Sequence, residues 1–508
     1  MQKEKSIGRN ILIIFLIIVM IASVCAALFA WAKYQTTING TATGETAKWS
    51  FKVSDGDTST QEIELPMTRK DNNTSVATGK IAPGTYGEIE IGIDATGTET
   101  ALTYVIEGKI GNLPTNIKFY SDAERTLDLT VLNNKFSKGG YMKLNEIGVR
   151  AEKIYWEWPF ETETKPIITD EKLVSLGINK TEFDALITEK KFAEANDIID
   201  TAENEKQFSM LLSVTGKQLN GNPVLADLVQ VGDYVNYNAS NTVDGQSYSY
   251  TTESTLTGSS VISTFSNADT FNSSAKAQWR VLSVDRETKT VQLMSTDATT
   301  NTVTLAGNTA LENLETVLNG IGAVYGHGKG ATNGRSIKLE DVEQYSTYNP
   351  YDYKSYHSST GYYGGTRTYS TGNFYKEIKD GNGIKYETSL TDASTEANGI
   401  EMTQTFYGYG AKRYFVNSTI YNMLFRNSVD ISSNKSSYWI GSFGVYLYSK
   451  MCNYSIYLIH ESSIYGESIY ESNGGKPEKS FAVVPVVTLE QNIQTSGQDS
   501  NGVWQLDV

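Results

Sequence analysis

The chain begins with one long apolar run and is polar for most of its remaining length. Residues 11–31 carry no charge, and Lys3, Lys5 and Arg9 precede them. An uncharged apolar run of about 20 residues can cross a bilayer as a helix, and a basic flank belongs on the cytoplasmic side. The pattern therefore predicts a transmembrane helix at residues 11–31 that anchors the chain in the membrane and places the rest outside the cell.

Residues 1–32 also fit a cleavable secretory signal. The triplet AWA at 30–32, directly before Lys33, has the small-x-small pattern of a cleavage site. The apolar run exceeds the roughly 7–15 residues of an ordinary signal core, which favours slow cleavage or a retained anchor. Both alternatives export the chain, so we expect it to be secreted or held at the extracellular face of the cell membrane.

Apolar and polar residues alternate in short stretches of the first exported domain, residues 33–221. Ile89, Ile91 and Ile93 are separated by polar or small residues, and a Pro-Gly pair at 83–84 precedes this stretch. Alternation with period two predicts a half-buried strand, and Pro-Gly pairs mark turns. Several such strands with turns between them indicate an antiparallel β-sandwich.

A helical pattern interrupts these strands at residues 164–192. Asp170 is placed to cap a short helix that Gly177 would end, and Thr181 with Asp184 resembles a capping box before a second helix. We predict a helical insert between two strands of the sandwich.

The second exported domain, residues 222–491, follows an NGNP joint at 220–223. Residues 278–294 predict a hairpin, and the spacing of the leucines in 311–318 predicts a helix. Residues 238–275 are rich in Ser, Thr and Asn and are predicted to form a loop. The mixture predicts an α+β domain, so the whole chain is expected to be mainly β.

The composition narrows the possible functions. A net charge of -15 argues against binding to nucleic acid, because phosphate contacts need clustered Lys and Arg. Cys25 lies in the apolar run and Cys452 in the exported part, so they cannot pair. The three histidines, His327, His357 and His460, offer little material for a catalytic metal site. We expect no metal, no cofactor and no enzymatic activity.

Five segments of the first domain resemble the TasA/camelysin family, in the same order as in that family. They are KIAPGT at 80–85, IGIDATG at 91–97, NLPTNIKFY at 112–120, IYWEWPFE at 154–161 and NDIIDT at 196–201. The resemblance implies an exported jelly-roll sandwich. It also implies possible self-assembly, because some members build matrix fibres by passing an N-terminal strand to the next subunit.

Two alternative functions follow from this resemblance. A biofilm-matrix fibre subunit would need cleavage after Ala32, since a retained anchor would hold the N-terminal strand at the membrane. A secreted hydrolase or metalloprotease of the camelysin type is disfavoured. A zinc protease needs two or three spaced ligands and a general base, whereas no histidine lies before His327.

The end of the second domain resembles exported bacterial domains that carry the pattern YWLAS…RPVVSL. The corresponding segments are YWIGS at 438–442 and FAVVPVVTL at 481–489, with Val484 where the pattern usually has Arg. The resemblance implies a fold like that of C-type lectins or formylglycine-generating enzymes. Residues 492–508 are predicted to be a C-terminal tail that contains a linker and a short final strand or docking peptide.

A segment dense in Tyr, Ser and Asn lies between those two motifs. Its candidate ligand-binding residues are Tyr446, Tyr448, Asn453, Tyr454, Tyr457, His460, Tyr465 and Tyr470. This composition is typical of binding surfaces, because Tyr offers rigid contact area while Ser and Asn offer adaptable hydrogen bonds. It also resembles the variable segment of diversity-generating retroelement targets. The alternative is a set of ordinary tyrosine-rich strands, since tyrosine favours strands in any case.

Taken together, the patterns predict a bacterial surface protein with two β-rich domains. The predicted function is adhesion or ligand display, with a glycan or protein at the cell exterior as the partner bound by the Tyr-rich face.

Overall fold

The computed structural model describes residues 48, 50–53, 60–65, 67–110, 113–131, 134–203, 210–254, 261–271, 275–307, 310, 313–346, 374–380, 383–390, 415, 418–425, 437–448, 451–460, 463–471 and 478–508. It is mainly β, as the sequence predicts, with several sheets and a smaller share of helix. The predicted segment 11–31 lies outside these residues. Among the helices that are described, none is long and apolar enough to cross a membrane.

The first unit contains two sheets whose described strands pair antiparallel. These strands are β1 (Lys52–Val53), β2 (Thr60–Leu65), β3 (Thr68–Arg69), β4 (Thr85–Asp94), β5 (Leu102–Lys109), β6 (Lys118–Tyr120), β7 (Lys135–Met142), β8 (Val149–Trp158) and β9 (Met210–Gln218). One sheet has the order β1-β4-β8-β6, with β3 also paired to β4, and the other has the order β2-β9-β5-β7. A 3-10 turn, Leu144–Glu146, connects β7 to β8.

One buried core joins the two sheets. Ile89, Ile91 and Trp156 reach it from the first sheet, and Tyr104 and Val214 reach it from the second. Buried and partly buried positions alternate along β4, which confirms the predicted period. Burying one such large apolar side chain stabilises the fold by about 1.5–3 kcal/mol relative to leaving it exposed. We call this cluster the first-unit core.

Three helices lie between β8 and β9, where the sequence predicts an insert of two. They are Asp170–Leu176, Lys180–Thr188 and Phe192–Ala202. Thr169 caps the first helix, where the sequence predicts Asp170. Asn179 caps the second, where the sequence predicts Thr181. Gly177 ends the first helix as predicted, in the left-handed conformation with φ of 73° that glycine adopts at little cost.

The helical insert connects the first unit to the second. Its buried apolar residues belong to one cluster with Tyr421, Phe425 and other residues of the second unit, and we call this cluster the Tyr421 core. The contributing residues of the insert are Leu173, Phe183, Ile187, Phe192, Ala195 and Ile199. The insert is therefore a shared wall between the two units.

The second unit contains the remaining described strands. They are β10 (Tyr234–Val235), β11 (Ser249–Ser254), β12 (Val261–Ser266), β13 (Trp279–Asp285), β14 (Thr290–Ser295), β15 (Val303–Leu305), β16 (Ala331–Ser336), β17 (Phe374–Asp380), β18 (Gly383–Leu390), β19 (Tyr438–Tyr448), β20 (Met451–His460), β21 (Ser463–Glu471), β22 (Lys479–Val483), β23 (Pro485–Leu489), β24 (Gln494–Gln498) and β25 (Val503–Asp507). Its described helices are Leu225–Leu228, Leu314–Tyr325, Leu339–Glu343 and Ser418–Phe425. The hairpin β13–β14 and the helix Leu314–Tyr325 confirm two sequence predictions.

A seven-stranded sheet has the order β16-β23-β14-β13-β10-β25-β24. Its last two strands come from residues 492–508, which the sequence predicts to be a C-terminal tail. β25 pairs parallel with β10, and Trp504 is buried, with its Nε1 donating to Asp233 Oδ2 at 3.0 Å. Pro223 in the predicted joint also accepts a bond from Thr495 N. The chain end is thus part of the second unit.

A five-stranded sheet has the order β15-β22-β19-β20-β21. Ile456 and Leu458 of β20 belong to a cluster that includes Trp279 and residues of the helix Leu314–Tyr325, here called the Trp279 core. Tyr457 and Ile459 belong to the Tyr421 core. Because successive side chains point to opposite faces, this part of β20 is buried on both faces.

Two short hairpins complete the described part of the unit, β11–β12 and β17–β18. The first falls within residues 238–275, which the sequence predicts to be a loop. Tyr250 of β11 lies where a side chain on Gly320 would stand, so the hairpin packs closely on the helix Leu314–Tyr325. This hairpin, although polar in sequence, is held by packing on one face.

Candidate ligand-binding cleft

The predicted Tyr-rich face lies on β19, β20 and β21. In the backbone register, Tyr446 pairs with Asn453 and Tyr448 with Met451. Tyr454 pairs with Tyr470, and Leu458 pairs with Tyr465. The sheet therefore brings the backbones of the predicted residues together. The side chains of Tyr446, Tyr448, Asn453, Tyr454, Tyr465 and Tyr470 lie outside the described part of the structure.

The side chain of Tyr457 is not on a binding surface. It has no solvent exposure and packs in the Tyr421 core, so the prediction that it contacts a ligand is wrong for this conformation. The neighbouring residues Ser455, Ile456, Leu458 and Ile459 are also buried. The physical reason is the double coverage of β20, which a local Tyr/Ser pattern does not reveal.

His460 lies at the end of β20 and is partly exposed. Its Nδ1 is hydrogen-bonded to Ser437 Oγ, directly before β19. This bond orients the imidazole ring, and the ring stays at the edge of the sheet. Its predicted role in ligand binding stays a prediction.

A polar cleft of about 400 Å³ opens elsewhere in the second unit. It lies between the chain that follows β10 and the chain that joins β12 to β13. Its lining residues are Asn236, Tyr237, Asn238, Ala239, Ser240, Asn267, Ala268, Asp269, Thr270, Phe271, Gln278 and Trp279. Carboxamides, hydroxyls and one carboxylate thus converge on one cavity.

Short-range hydrogen bonds hold the walls of the cleft in place. Asn238 Oδ1 accepts from Ser240 N at 3.0 Å, which closes a tight turn. Asn267 Nδ2 donates to Ala239 O at 3.1 Å, and Asp269 Oδ2 accepts from Ser266 N at 2.8 Å. Asn and Asp stabilise turns through such bonds to nearby backbone. The two loops are therefore fixed to each other before any ligand binds.

Aromatic rings form the floor of the cleft. The ring centroids of Tyr237 and Phe271 lie 5.2 and 5.6 Å from that of Trp279, both edge to face. Tyr237 Oη donates to Tyr325 O at 2.6 Å and accepts from Gly328 N at 3.0 Å. All three rings are buried. A packed, hydrogen-bonded floor gives the cleft a fixed depth, as preformed ligand sites have.

Two lining side chains remain available to a ligand. Gln278 is partly buried and Thr270 is exposed. Within the described residues, neither side chain has a hydrogen-bond partner. A carboxamide offers two N–H donors and an acceptor, and a hydroxyl offers both functions. These are the groups that pair with the hydroxyls of a sugar.

A stacked pair of rings stands next to the cleft. The rings of Tyr248 and His327 are 3.6 Å apart and nearly parallel, at 3°. Tyr248 Oη donates to Asp244 Oδ2 at 2.6 Å, which lowers the pKa of that carboxyl. Tyr248 N donates to Asn267 Oδ1, so the pair is tied to the wall of the cleft. His327 is exposed, and the pair offers an apolar platform beside polar groups.

A second cluster of polar side chains lies in the first unit. Asp200 Oδ1 accepts from Asn116 Nδ2 and from Trp158 Nε1, both at 3.0 Å. Burial raises the pKa of Asp200 to about 6, against the two hydrogen bonds, which lower it. The buried Glu203 accepts from Thr115 N and Oγ1 and also pairs with Lys172. The carboxylates are engaged in bonds that hold the insert to the sheet.

Apart from Lys172, these residues fall in three of the segments that carry the family resemblance or within two residues of them. Their convergence was not predicted from the sequence, although the spacing of Asp197, Asp200 and Glu203 along one helix was visible. In the described part of the chain, no group of three His, Cys, Asp or Glu side chains is arranged to hold a metal ion.

Comparisons of the chain with models of protein families, with curated proteins and with solved structures find no match. The chemistry of the cleft and the pattern of the sequence therefore carry the functional argument.

Proposed function

We propose that the chain is exported to the cell surface and displays a binding cleft for a neutral glycan, without catalysing a reaction. The observation that carries this proposal is the cleft of about 400 Å³ beside the stacked Tyr248–His327 pair. Sugars present hydroxyls around their rim and C–H groups on their faces. Carboxamides and hydroxyls of a protein pair with the sugar hydroxyls, and exposed aromatic rings pack against the C–H faces.

Export is the second part of the proposal. Its support is the uncharged run at residues 11–31 with a basic flank. Proteolysis of intact cells should remove the second unit if the chain is outside, whereas protection until lysis would overturn export.

The finer fold assignments are also part of the proposal. The two sheets that share the first-unit core are compatible with a TasA-like jelly-roll sandwich. A five-stranded sheet with helices on its two sides is compatible with a lectin-like α+β unit. In this arrangement the first unit acts as the stalk and the second as the binding module.

Glycan-array binding by the full chain tests the cleft. Gln278→Ala and Thr270→Ala should each weaken binding about five- to thirtyfold, because each removes hydrogen bonds worth about 1–2 kcal/mol. Neither side chain supports the fold, so both variants should unfold like the parent. Gln218→Ala, an exposed glutamine at the end of β9, is the matched control. Binding that survives both cleft changes would refute the proposed site.

The two competing functions predict different experimental results. A fibre subunit should yield filaments that begin after Ala32 by N-terminal sequencing. A metalloprotease should cleave protein substrates and lose that activity with a chelator. Either result would replace the glycan-display proposal.

A further inference from the structure

One charged side chain lines the candidate cleft, the carboxylate of Asp269. Among the described residues that line the cleft there is no lysine, arginine or histidine. Asp269 belongs to the chain that joins β12 to β13, and it is partly exposed. A ligand in the cleft can therefore reach a negative charge, and it meets no cationic side chain on the described walls.

Backbone hydrogen bonds hold this carboxylate in a fixed position. Asp269 Oδ2 accepts from Ser266 N at 2.8 Å, and Asp269 N donates to Ser266 O at 3.0 Å. A carboxylate has about four lone-pair sites on its two oxygens, so it keeps the capacity to accept from a ligand. Burial raises the pKa of the neighbouring Tyr325, and the charge of Asp269 raises it further. That phenol stays neutral and does not offset the charge of the carboxylate.

The lysines that follow the two walls along the chain do not line the cleft. They are Lys276, which is exposed, and Lys329, which is partly exposed and donates its backbone N–H to Asn241 O at 2.7 Å. A second carboxylate, Asp244, lies beside the cleft and accepts from Tyr248 Oη. Charges that act across solvent are screened by salt, whereas a charge in direct contact with a ligand is screened much less. The contact with Asp269 therefore decides which charge on a ligand is accepted.

Neutral and acidic sugars differ in what they offer to this carboxylate. A sugar hydroxyl can donate to it, and hydrogen bonds to an ionised acceptor are stronger than those between neutral groups. A uronic acid has a carboxylate in place of one hydroxymethyl group, and two like charges in contact disfavour binding. Proteins reach specificity by such repulsion as well as by attraction.

We propose that Asp269 sets the charge specificity of the cleft. Its carboxylate accepts from the hydroxyls of a neutral sugar and excludes sugars that carry a carboxylate. Gln278 and Thr270 pair with hydroxyls that neutral and acidic sugars share, so they contribute affinity without this discrimination. The inference rests on the proposed glycan cleft and names the residue that selects its ligand.

Binding of the full chain to matched pairs of immobilised sugars tests the inference. Glucose, galactose and mannose are each compared with the corresponding uronic acid on the same linker, at pH 8, where an ordinary imidazole is uncharged. We expect every neutral sugar that binds to be bound at least about tenfold more tightly than its acidic partner. Equal binding within the pairs would overturn the inference and leave the glycan cleft standing. Absence of binding to all six sugars would overturn both.

Two variants locate the discrimination. Asp269→Asn removes the charge and keeps an oxygen that can accept from Ser266 N, so it should fold, and the preference for neutral sugars should shrink at least about fivefold. Asp285→Asn is the matched control. Asp285 is exposed at the far end of β13 from Trp279, and its Oδ1 also accepts a bond within a turn, from Glu287 N at 2.9 Å.

The preference should not change in Asp285→Asn, and thermal unfolding of both variants checks that they fold. An unchanged preference in Asp269→Asn would overturn the inference. The same loss of preference in both variants would overturn it as well, because the overall negative charge of the chain would then explain the discrimination.

Discussion

β4 in the first unit and β20 in the second differ in how many of their faces are buried. β4 alternates between buried and partly exposed residues, so one face meets the first-unit core. In β20 the five consecutive residues 455–459 are all buried. The Trp279 core covers one face, and the Tyr421 core covers the other.

The difference shows where a local sequence pattern is sufficient to predict which faces of a strand are buried and where it is not. Alternation on β4 reports a sheet with one covered face. A strand covered on both faces reads instead as a continuous apolar run, and Ile456 to Ile459 is such a run. The Tyr and Ser residues around it resemble a binding surface, and they concealed this signal. To interpret β20 one needs the helices Leu314–Tyr325 and Ser418–Phe425, which contribute to the cores on its two faces and are distant in the sequence.

The largest expected effect comes from removing the chain after residue 491. This truncation deletes β24, β25 and the buried residues Ile493 and Trp504. It also leaves the buried Asp233 without its Trp504 donor. We expect the second unit to lose more than about 5 kcal/mol, because a buried Trp alone contributes about 3–5. The loss should appear as urea unfolding at much lower concentration and in hydrogen exchange of β10.

Removal of Val508 alone is the control for this truncation, since that residue is exposed. We expect little change from it. If the chain ending at residue 491 unfolds like the parent, the last two strands are dispensable and residues 492–508 are a tail.

Alanine substitutions at adjacent positions test the one-face and two-face comparison directly. In β20, Tyr457→Ala should cost about 3–5 kcal/mol and Leu458→Ala about 2–5, because both positions are buried. In β4, Ile91→Ala should cost about 2–5 kcal/mol, while Glu90→Ala should stay within about 0.5 of the parent. The free energy of unfolding in urea measures all four variants. A mild effect at either β20 position would mean that one of its faces is open.

The sequence predicted those parts of the fold that depend on neighbouring residues. The alternation of β4, the hairpin β13–β14, the end of a helix at Gly177 and the helix Leu314–Tyr325 are all present. At the chain end the sequence predicted the short final strand, which is β25, but it missed β24 and the place of both strands in the seven-stranded sheet, because these depend on pairing with residues far away. The third helix of the insert was also missed, since it begins at Phe192, the last position of the predicted insert.

The candidate cleft shows even more clearly that a local sequence pattern does not reveal contacts between distant parts of the chain. Its walls come from two loops, and one of its neighbours, His327, comes from beyond the helix Leu314–Tyr325. Asn, Ser and Asp in a loop predict turns, but they do not tell which loops face each other. Only the side-chain bonds of Asn238 and Asn267, and the floor beneath them, identify a site.

A moderate effect is expected from the contact that joins the units at Asp128. This buried carboxylate accepts from Ser418 Oγ at 2.6 Å and from Thr419 N at 3.0 Å. It therefore caps a helix of the second unit from the first. Asp128→Ala should cost about 1 kcal/mol, as the loss of a helix cap does, and should speed hydrogen exchange in Ser418–Phe425.

Asp122→Ala provides the comparison, because among the described residues Asp122 accepts only from its own loop, at Thr126 and Leu127. Exchange in the helix Ser418–Phe425 should not change in this variant. Equal exchange in both variants would show that the bonds to Asp128 do not hold the helix.

An effect of similar size but opposite sign, a gain of stability in the first unit, is expected from Asp200→Asn. The pKa of Asp200 is raised to about 6 from 3.8, chiefly by burial. Between about pH 4 and pH 6 the folded chain keeps this proton and the unfolded chain loses it, so stability falls as the pH rises through that window.

Asparagine at position 200 stays neutral and keeps an oxygen that can accept from Asn116 and Trp158. After a discount for the partial exposure of the group, we expect a gain of about 1 kcal/mol at pH 7.5 and almost none at pH 4. Urea unfolding at the two pH values measures it, with Glu194→Gln, at an exposed carboxylate of the same helix, as the matched control. A loss of stability at pH 7.5 would mean that the hydrogen bonds to the ionised carboxylate outweigh its desolvation, and that the charge helps to hold the insert against the first unit.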